Sequence, residues 1–246
     1  MSTTTTSPDT MAKLLSRHEV AERTTAFRFE KPSNWTFNSG QYLDVTLLDS
    51  SEVDAEGNVR SFSIASAPHE DTLMVATRMR DTAFKRVLNT MPLSSAVKIE
   101  GPSGSLTLHN NVKRTAVFLA GGIGITPFRS IVFRAAKEKL PHRIFLFYSN
   151  RRPEDAPFLD ELQALERENP NYKLIASMTE MSKSQRPWQG EAGLIDKEML
   201  ARHLKDAVSL SSNDARTALK AKGALLSVNR GGPPSRAAGG NPHTSG

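Results

Sequence analysis

Hydrophobic and polar positions change rhythm once along this chain. From Lys13 to about His109, apolar residues alternate with polar ones in short runs separated by turn residues. Thr24–Phe29, Tyr42–Leu48, Ser61–Ser66, Thr72–Thr77 and Ala96–Glu100 are predicted strands, because successive side chains of an extended segment face opposite sides. Short strands at this spacing predict a small antiparallel barrel or sandwich. One helix interrupts them: Thr82 is placed to cap Ala83–Met91, and Pro92 ends it.

After Lys113 the runs lengthen. Thr115–Ala120 is a continuous apolar strand, Pro127–Leu140 a helix and Arg143–Tyr148 a second strand. Phe158–Glu168 follows as a helix with leucines at 159, 162 and 165, then strand Tyr172–Ser177 and helix Asp196–Leu204, capped by Asp196. Strand and helix in alternation predict a parallel, doubly wound α/β sheet. The fold class is thus two-domain, an antiparallel β-barrel followed by an α/β domain. The expected divisions are a disordered N-terminus over 1–11, a barrel over 12–109, an α/β domain over 113–207 and a tail over 208–246. Trp188 is the last aromatic residue, and the tail holds six glycines with Pro233, Pro234 and Pro242. That composition favours disorder, with Asp214–Leu226 as a segment able to form an isolated helix.

Composition bounds the function classes. The 246 residues, 38% of them apolar, suffice for two modest cores. No apolar run approaches the roughly 18–20 residues of a membrane span, and Met1–Thr10 lacks the pattern of a secretory signal, so the cytoplasm is the expected compartment. Cysteine is absent, which removes disulfides, thiolate metal sites and a cysteine nucleophile. Of the net charge of +6, the tail carries +4 through Arg216, Lys220, Lys222, Arg230 and Arg236 against Asp214. No basic face with interleaved aromatics remains, and no nucleic-acid partner is expected. The histidines at 18, 69, 109, 142, 203 and 243 show no metal-ligand spacing and read as surface or loop residues, so no metal is expected. Glu161, Glu166 and Glu168 read as the polar face of a helix, and Asp44 and Asp54 have no evident partner.

Two stretches carry chemistry. Leu119–Phe128 reads Leu-Ala-Gly-Gly-Ile-Gly-Ile-Thr-Pro-Phe, a buried strand running through a glycine turn into a helix. Glycines let backbone amides approach a pyrophosphate, and the helix N-terminus adds a partial positive charge. Alone, such glycines serve equally as steric turn residues. Arg60-Ser61-Phe62-Ser63 is the second stretch. Arg and Ser on one face of a strand, two or three positions apart, can share a phosphate, with Phe62 pointing the opposite way to stack on an aromatic ring. Alone, the tetrapeptide reads rather as a surface strand with a solvated arginine.

Gly40-Gln41-Tyr42, Arg60–Ser66, Gly101-Pro102-Ser103-Gly104-Ser105-Leu106 and Gly121–Pro127 occur in this order. Together they resemble the ferredoxin–NADP reductase family of flavoproteins over about residues 12–205. The resemblance implies a barrel that binds FAD, or FMN as the lesser alternative, and an α/β domain that binds NADPH or NADH. It implies that Arg60 holds the flavin phosphate, that Ser61 lies in the same flavin motif, and that Ser63 lies near the flavin N5. Phe62 stands where the family commonly has Tyr, packed on the isoalloxazine. Val75, Ala76 and Thr77 match the strand whose backbone lines the flavin. Thr82, Ala83 and Phe84 match the helix start that receives the pyrophosphate; Phe84 replaces a usual Ser or Thr, and Thr82 either substitutes for it or only caps the helix. Gly121, Gly122 and Gly124 form the pyridine-nucleotide loop, with Thr126 and Pro127 at the nicotinamide side. Ser63 and Thr126 are the candidate catalytic residues. Ser149, Asn150, Arg151 and Arg152 follow the second parallel strand, where paired arginines suit the 2′-phosphate of NADPH, or are simply solvated. The implied activity is hydride transfer from NAD(P)H to flavin, with electrons passed to ferredoxin, flavodoxin or a small acceptor.

The match departs at the C-terminus. A parallel strand ending in Gly-Pro is implied after Asp196–Leu204, but the chain reads Val208-Ser-Leu-Ser-Ser-Asn-Asp-Ala-Arg. Residues from about 208 therefore read as replaced, with the composition of a shifted reading frame. The expectation is an unpaired sheet edge, lowered stability and impaired hydride transfer, with flavin binding less affected. Two other readings stand beside the reductase. A reductase component of an oxygenase often adds an iron–sulfur domain with Cys ligands, and the lack of cysteine favours a stand-alone reductase. A non-catalytic flavin-binding protein is the reading from a different class.

Overall fold

The computed structural model describes residues 10–48, 52–205 and 224–229. The first sheet contains β1 (Thr10–Ala21), β2 (Thr24–Glu30), β3 (Tyr42–Leu47), β4 (Val59–Ser63), β5 (Thr72–Arg78) and β6 (Ala96–Ser103). Their order is β4-β3-β6-β1-β2-β5, with every pairing antiparallel. The two end strands approach each other, because Ala65 just beyond β4 donates its N–H to Met74 of β5 at 2.7 Å. The sheet thus curls toward the barrel predicted from its alternating pattern. Phe27, Phe29, Leu43, Val45, Leu47, Leu73, Val75, Val97 and Ile99 fill it, and α1 (Ala83–Thr90) closes it with Phe84, Val87 and Leu88.

β1 is an element the alternation did not reveal. Its twelve residues run past the expected domain start: Thr10 and Met11 pair with Ile99 and Lys98, so both are strand rather than disordered terminus. Residues 1–9 lie outside the described residues.

The second sheet has the order β10-β9-β8-β7-β11. β7 (Arg114–Gly121), β8 (Ile144–Asn150), β9 (Tyr172–Met178) and the two-residue β10 (Glu191–Ala192) are parallel. Side chains alternate across β7. Ala116, Phe118 and Ala120 pack under α2 (Thr126–Lys137) and α3 (Leu159–Glu168), whereas Val117 and Leu119 pack under α4 (Lys197–Leu204). Both faces are therefore covered, which explains the continuous apolar run. The predicted cap of α4 is present: Asp196 accepts from the Met199 N–H at 2.7 Å.

The far edge corrects an expectation. β11 (Ala224–Asn229) pairs antiparallel along β7, from Ala224 opposite Leu119 to Asn229 opposite Arg114. The edge expected to be unpaired thus has a partner, and residues 224–226, expected at the end of an isolated helix, are strand. An exposed ladder accepts any extended segment of sufficient length, in either direction. The remainder of the expected tail, 208–223 and 230–246, lies outside the described residues.

Candidate functional site

The barrel half of the site is built on β4. Register places Arg60 opposite Val45 and Phe62 opposite Leu43, whereas Ser61 and Ser63 lie opposite Asp44 and Tyr42. Arg60 and Phe62 therefore share a face and converge on Phe84. The Arg60 guanidinium carbon stands 5.2 Å from the Phe84 ring centroid, and the Phe62 ring 5.9 Å from it. This corrects the expectation that Phe62 points away from Arg60. Side chains two apart in a strand share a face, and Ser63 is three from Arg60.

Arg60 is held firmly. Its Nη1 donates to the carbonyls of Val59 at 2.8 Å, Glu56 at 2.9 Å and Gly57 at 3.0 Å. Its Nη2 pairs with Asp54 at 3.1 Å and Glu56 at 2.8 Å. Asp54, expected to lack a partner, also accepts from the Ala83 N–H at 3.1 Å. Burial pushes its carboxyl up, but the Glu56 and Ala83 N–H groups and Arg60 outweigh this and hold it below the ordinary carboxylate value. Asp44 likewise has a partner, the Ser61 hydroxyl. The expected cap is absent: Thr82 makes no side-chain bond to α1, and its buried Oγ1 has no hydrogen-bond partner. Asp54 takes that role from a distant loop. Val75, Ala76 and Thr77 are buried on β5, an end strand of the sheet order.

The other half sits at the C-terminal ends of β7 and β8, where Gly121 lies opposite Ser149. Open α/β sheets bind ligands at this edge. Gly122–Ile125 form one tight turn before Thr126 and Pro127 open α2. Gly122 has φ +52°, a left-handed conformation that suits glycine. Gly124 has no such need: a Cβ there would meet nothing within 4 Å, so its backbone faces open space. Thr126 is buried, and its Oγ1 donates to Ile123 O at 3.2 Å. Asn150 is also buried, and its carbonyl accepts from Thr179 N–H at 3.0 Å.

Two residues missed in the sequence complete this half. The buried Tyr148 hydroxyl lies 3.2 Å from Gly122 O and 3.1 Å from Pro157 O, tying the glycine turn to the next loop, and burial pushes its pKa up. Its signal is an aromatic at the last core position of β8. Arg78, at the end of β5, brings its Nη2 within 3.8 Å of where a Gly122 Cβ would sit. The two halves therefore meet at this point, with a guanidinium from the barrel beside the glycine turn.

The predicted arginine pair separates. Arg152 donates to Asp155 at 2.8 and 3.1 Å and to Glu22 of the barrel, so it bridges the domains. Arg151 pairs with Asp155 alone at 3.3 Å, and its side chain is 55% exposed against 20% for Arg152. Glu161 lies on the expected helix, and its polar face is engaged: it binds the buried Arg129 at 2.7 and 3.0 Å. His142 is buried, with Nε2 2.8 Å from His109 O. No group of three or more potential metal ligands occurs among the described residues. No helix among them is long and apolar enough to cross a membrane.

Residues 118–219 match the oxidoreductase NAD-binding domain family. The chain is 28% identical over 162 residues to the terephthalate 1,2-dioxygenase reductase component 1 of Comamonas sp., covering 65% of this chain and 46% of that protein. It is 26% identical to the ferredoxin–NADP reductase B of Sorangium cellulosum, covering 65% of this chain and 63% of the relative. The chain spans about half the length of several curated relatives it matches. In fold it is similar to a ferredoxin–NADP⁺ reductase from Neisseria gonorrhoeae, with a TM-score of 0.62 at 20% identity, over 87% of this chain and 79% of that one. The chain thus combines a match to the oxidoreductase NAD-binding domain over residues 118–219 with an antiparallel barrel and a parallel α/β sheet, and its relatives and structural neighbours are ferredoxin–NADP reductase-like flavoprotein reductases.

Proposed function

We propose that this chain is a flavin-dependent NAD(P)H oxidoreductase that passes electrons to a protein acceptor. The observation that carries this reading is that the barrel, which holds Arg60 beside the Asp54-bound Ala83 N–H of α1, also brings Arg78 at the end of β5 against the Gly121–Gly124 turn of the α/β sheet. The residues suit the implied cofactors. Arg60 and the Ala83 N–H already share one anionic group, the Asp54 carboxylate, as they would share a phosphate oxygen. Gly124 leaves open space where backbone must approach a pyrophosphate. The N. gonorrhoeae structure contains FAD and NADP, and FAD is favoured here over FMN because Thr82 and Ala83 extend the anion site beyond Arg60.

In this reading Arg60 and the Ala83 N–H would hold the flavin diphosphate, while Phe62, backed by the buried Phe84, would pack on the flavin ring. Ser63 lies near N5. Thr126, fixed by Ile123 O, positions the nicotinamide, and Tyr148 sets the turn that carries its pyrophosphate. The bound cofactor supplies hydride acceptance from the nicotinamide followed by single-electron donation. The protein's own contribution is to fix the two binding surfaces relative to each other. Arg151, the more exposed arginine, is the group offered to a 2′-phosphate, which favours NADPH over NADH.

A second reading narrows the acceptor. The Comamonas relative is a dioxygenase reductase component, which favours an oxygenase partner over free ferredoxin or flavodoxin. The deciding experiment is purification, an absorbance spectrum, cofactor extraction and anaerobic titration with NADPH and then NADH. Bound FAD bleached by NADPH is expected. Bound flavin that neither nucleotide bleaches would instead support a non-catalytic flavin-binding protein.

A further inference from the structure

The loop before β4 turns two carboxylates back on the strand it precedes. Asp54 Oδ1 accepts from Arg60 Nη2 at 3.1 Å, and Oδ2 accepts from the Ala83 N–H at 3.1 Å. One carboxylate thereby bridges a guanidinium and the first amide of α1. Glu56 adds an ion pair to the same guanidinium at 2.8 Å, and its N–H closes the turn onto Asp54 at 3.0 Å. Beside Ala83, the buried Thr82 hydroxyl has no hydrogen-bond partner. A carboxylate has two oxygens and uses both here; a phosphate has a further oxygen to offer to another donor. The loop is peripheral: the side chains of Asp54 and Glu56 are 30% and 73% exposed, so it can leave without uncovering core.

An arginine fork beside a helix-terminal amide is a phosphate-binding arrangement, and an anion already there excludes a second by repulsion and by occupying the donors. We propose that Asp54 is an internal anion competing with the flavin phosphate for Arg60 and Ala83, so that flavin uptake requires the 52–57 loop to release Arg60. The inference rests on the flavoprotein reading above. Asp54 then has opposite effects on two states. It holds Arg60 in place in the flavin-free protein, and it lowers affinity for any flavin that carries phosphate.

The test uses flavin-stripped full-length protein, wild type, D54N and E56Q, with rebinding followed by quenching of flavin fluorescence. D54N should bind FAD faster and about tenfold more tightly than wild type, the scale of a released charge-assisted hydrogen bond. E56Q, which frees only an exposed ion pair, should gain less. Riboflavin, which lacks phosphate, should bind D54N and wild type alike. Flavin-stripped D54N should melt below wild type, whereas the FAD-saturated proteins should melt together. If D54N does not survive stripping, the rate of FAD loss from the loaded protein on dilution serves instead and should be slower than in wild type. FAD affinity in D54N equal to or below wild type overturns the inference alone. Failure of wild type and both variants to bind any flavin overturns the flavoprotein reading and the inference with it.

Discussion

Arg129 of α2 reaches across the domain boundary and donates to Glu70 of the barrel at 2.9 Å. Its Nη1 also meets Ala65 O at 2.8 Å, its other nitrogens clamp Glu161, and its guanidinium carbon lies 4.2 Å from the Phe133 ring centroid. At 3% exposure, burial alone would favour its neutral form, but Glu161 and Glu70 outweigh this and keep it charged. Nearby, the Ser130 hydroxyl donates to Ser66 O at 2.7 Å. The start of α2 carries the glycine turn, so the same helix positions the proposed dinucleotide loop and grips the barrel.

Removing that grip leaves two acidic groups short of a partner. R129M is expected to cost about 3–5 kcal/mol of unfolding free energy, as breaking one side of a buried pair does. Urea denaturation measures it, and a loss below about 1 kcal/mol would show that the bridge is dispensable.

Tyr148→Phe removes the hydroxyl between Gly122 and Pro157 without changing shape. A destabilisation of about 1–3 kcal/mol is expected, together with a higher KM for the nicotinamide nucleotide and unchanged flavin content. Steady-state kinetics on flavin-saturated enzyme separate these effects.

The two loop glycines should respond differently to alanine. G122A forces a left-handed conformation on a residue with Cβ and is expected to cost about 1–2 kcal/mol. G124A meets open space, so its melting temperature should match wild type while nucleotide affinity falls about tenfold, the scale of one lost contact. Equal nucleotide binding by G124A and wild type would remove Gly124 from the site.

Arg151 and Arg152 are expected to separate into specificity and structure. R151A should weaken NADPH binding about tenfold with NADH little changed, as the loss of one charge-assisted contact does. R152A should instead lower the melting temperature and affect both nucleotides alike. Equal effects of R151A on both nucleotides would contradict the assignment.

Acid should loosen the Asp155 contacts. Arg152 first, with Arg151, holds the Asp155 carboxyl below its ordinary value against the opposing effect of burial. A depressed folded pKa stabilises the fold above the unfolded value and loses that contribution as pH falls through the folded one. The urea midpoint should therefore be level from about pH 7 to 5 and drop below about pH 4. D155N should start lower and drop less.

Much of the fold was legible because its elements are strongly patterned. β2, β5, β7, β8, β9 and α3 carry clear period-two, continuous-apolar or leucine-stripe signals, and each lies within three residues of its expected bounds. β1 escaped because its residues are intermediate or exposed at most positions, so its face does not alternate cleanly. Asp44 looked unpartnered, and Arg151 and Arg152 looked equivalent, because Ser61 and Glu22 lie far along the chain and leave no local trace; Asp54 was missed because only the turn of its loop folds it back on Arg60, six residues on.

The sequence by itself determined the two-domain order, the glycine turn at the end of an apolar strand and the arginine motif of β4, since these follow from local sterics and hydrophobic periodicity. Only the tertiary structure decided which face Phe62 shares, which anion sits on Arg60, and that Arg152 serves the domain boundary. It also decided the fate of 224–229. An Ala/Leu-rich segment has local helix propensity, but the unsatisfied backbone ladder of β7 offers it a row of hydrogen bonds, and pairing overrides a preference worth only tenths of a kcal/mol per residue.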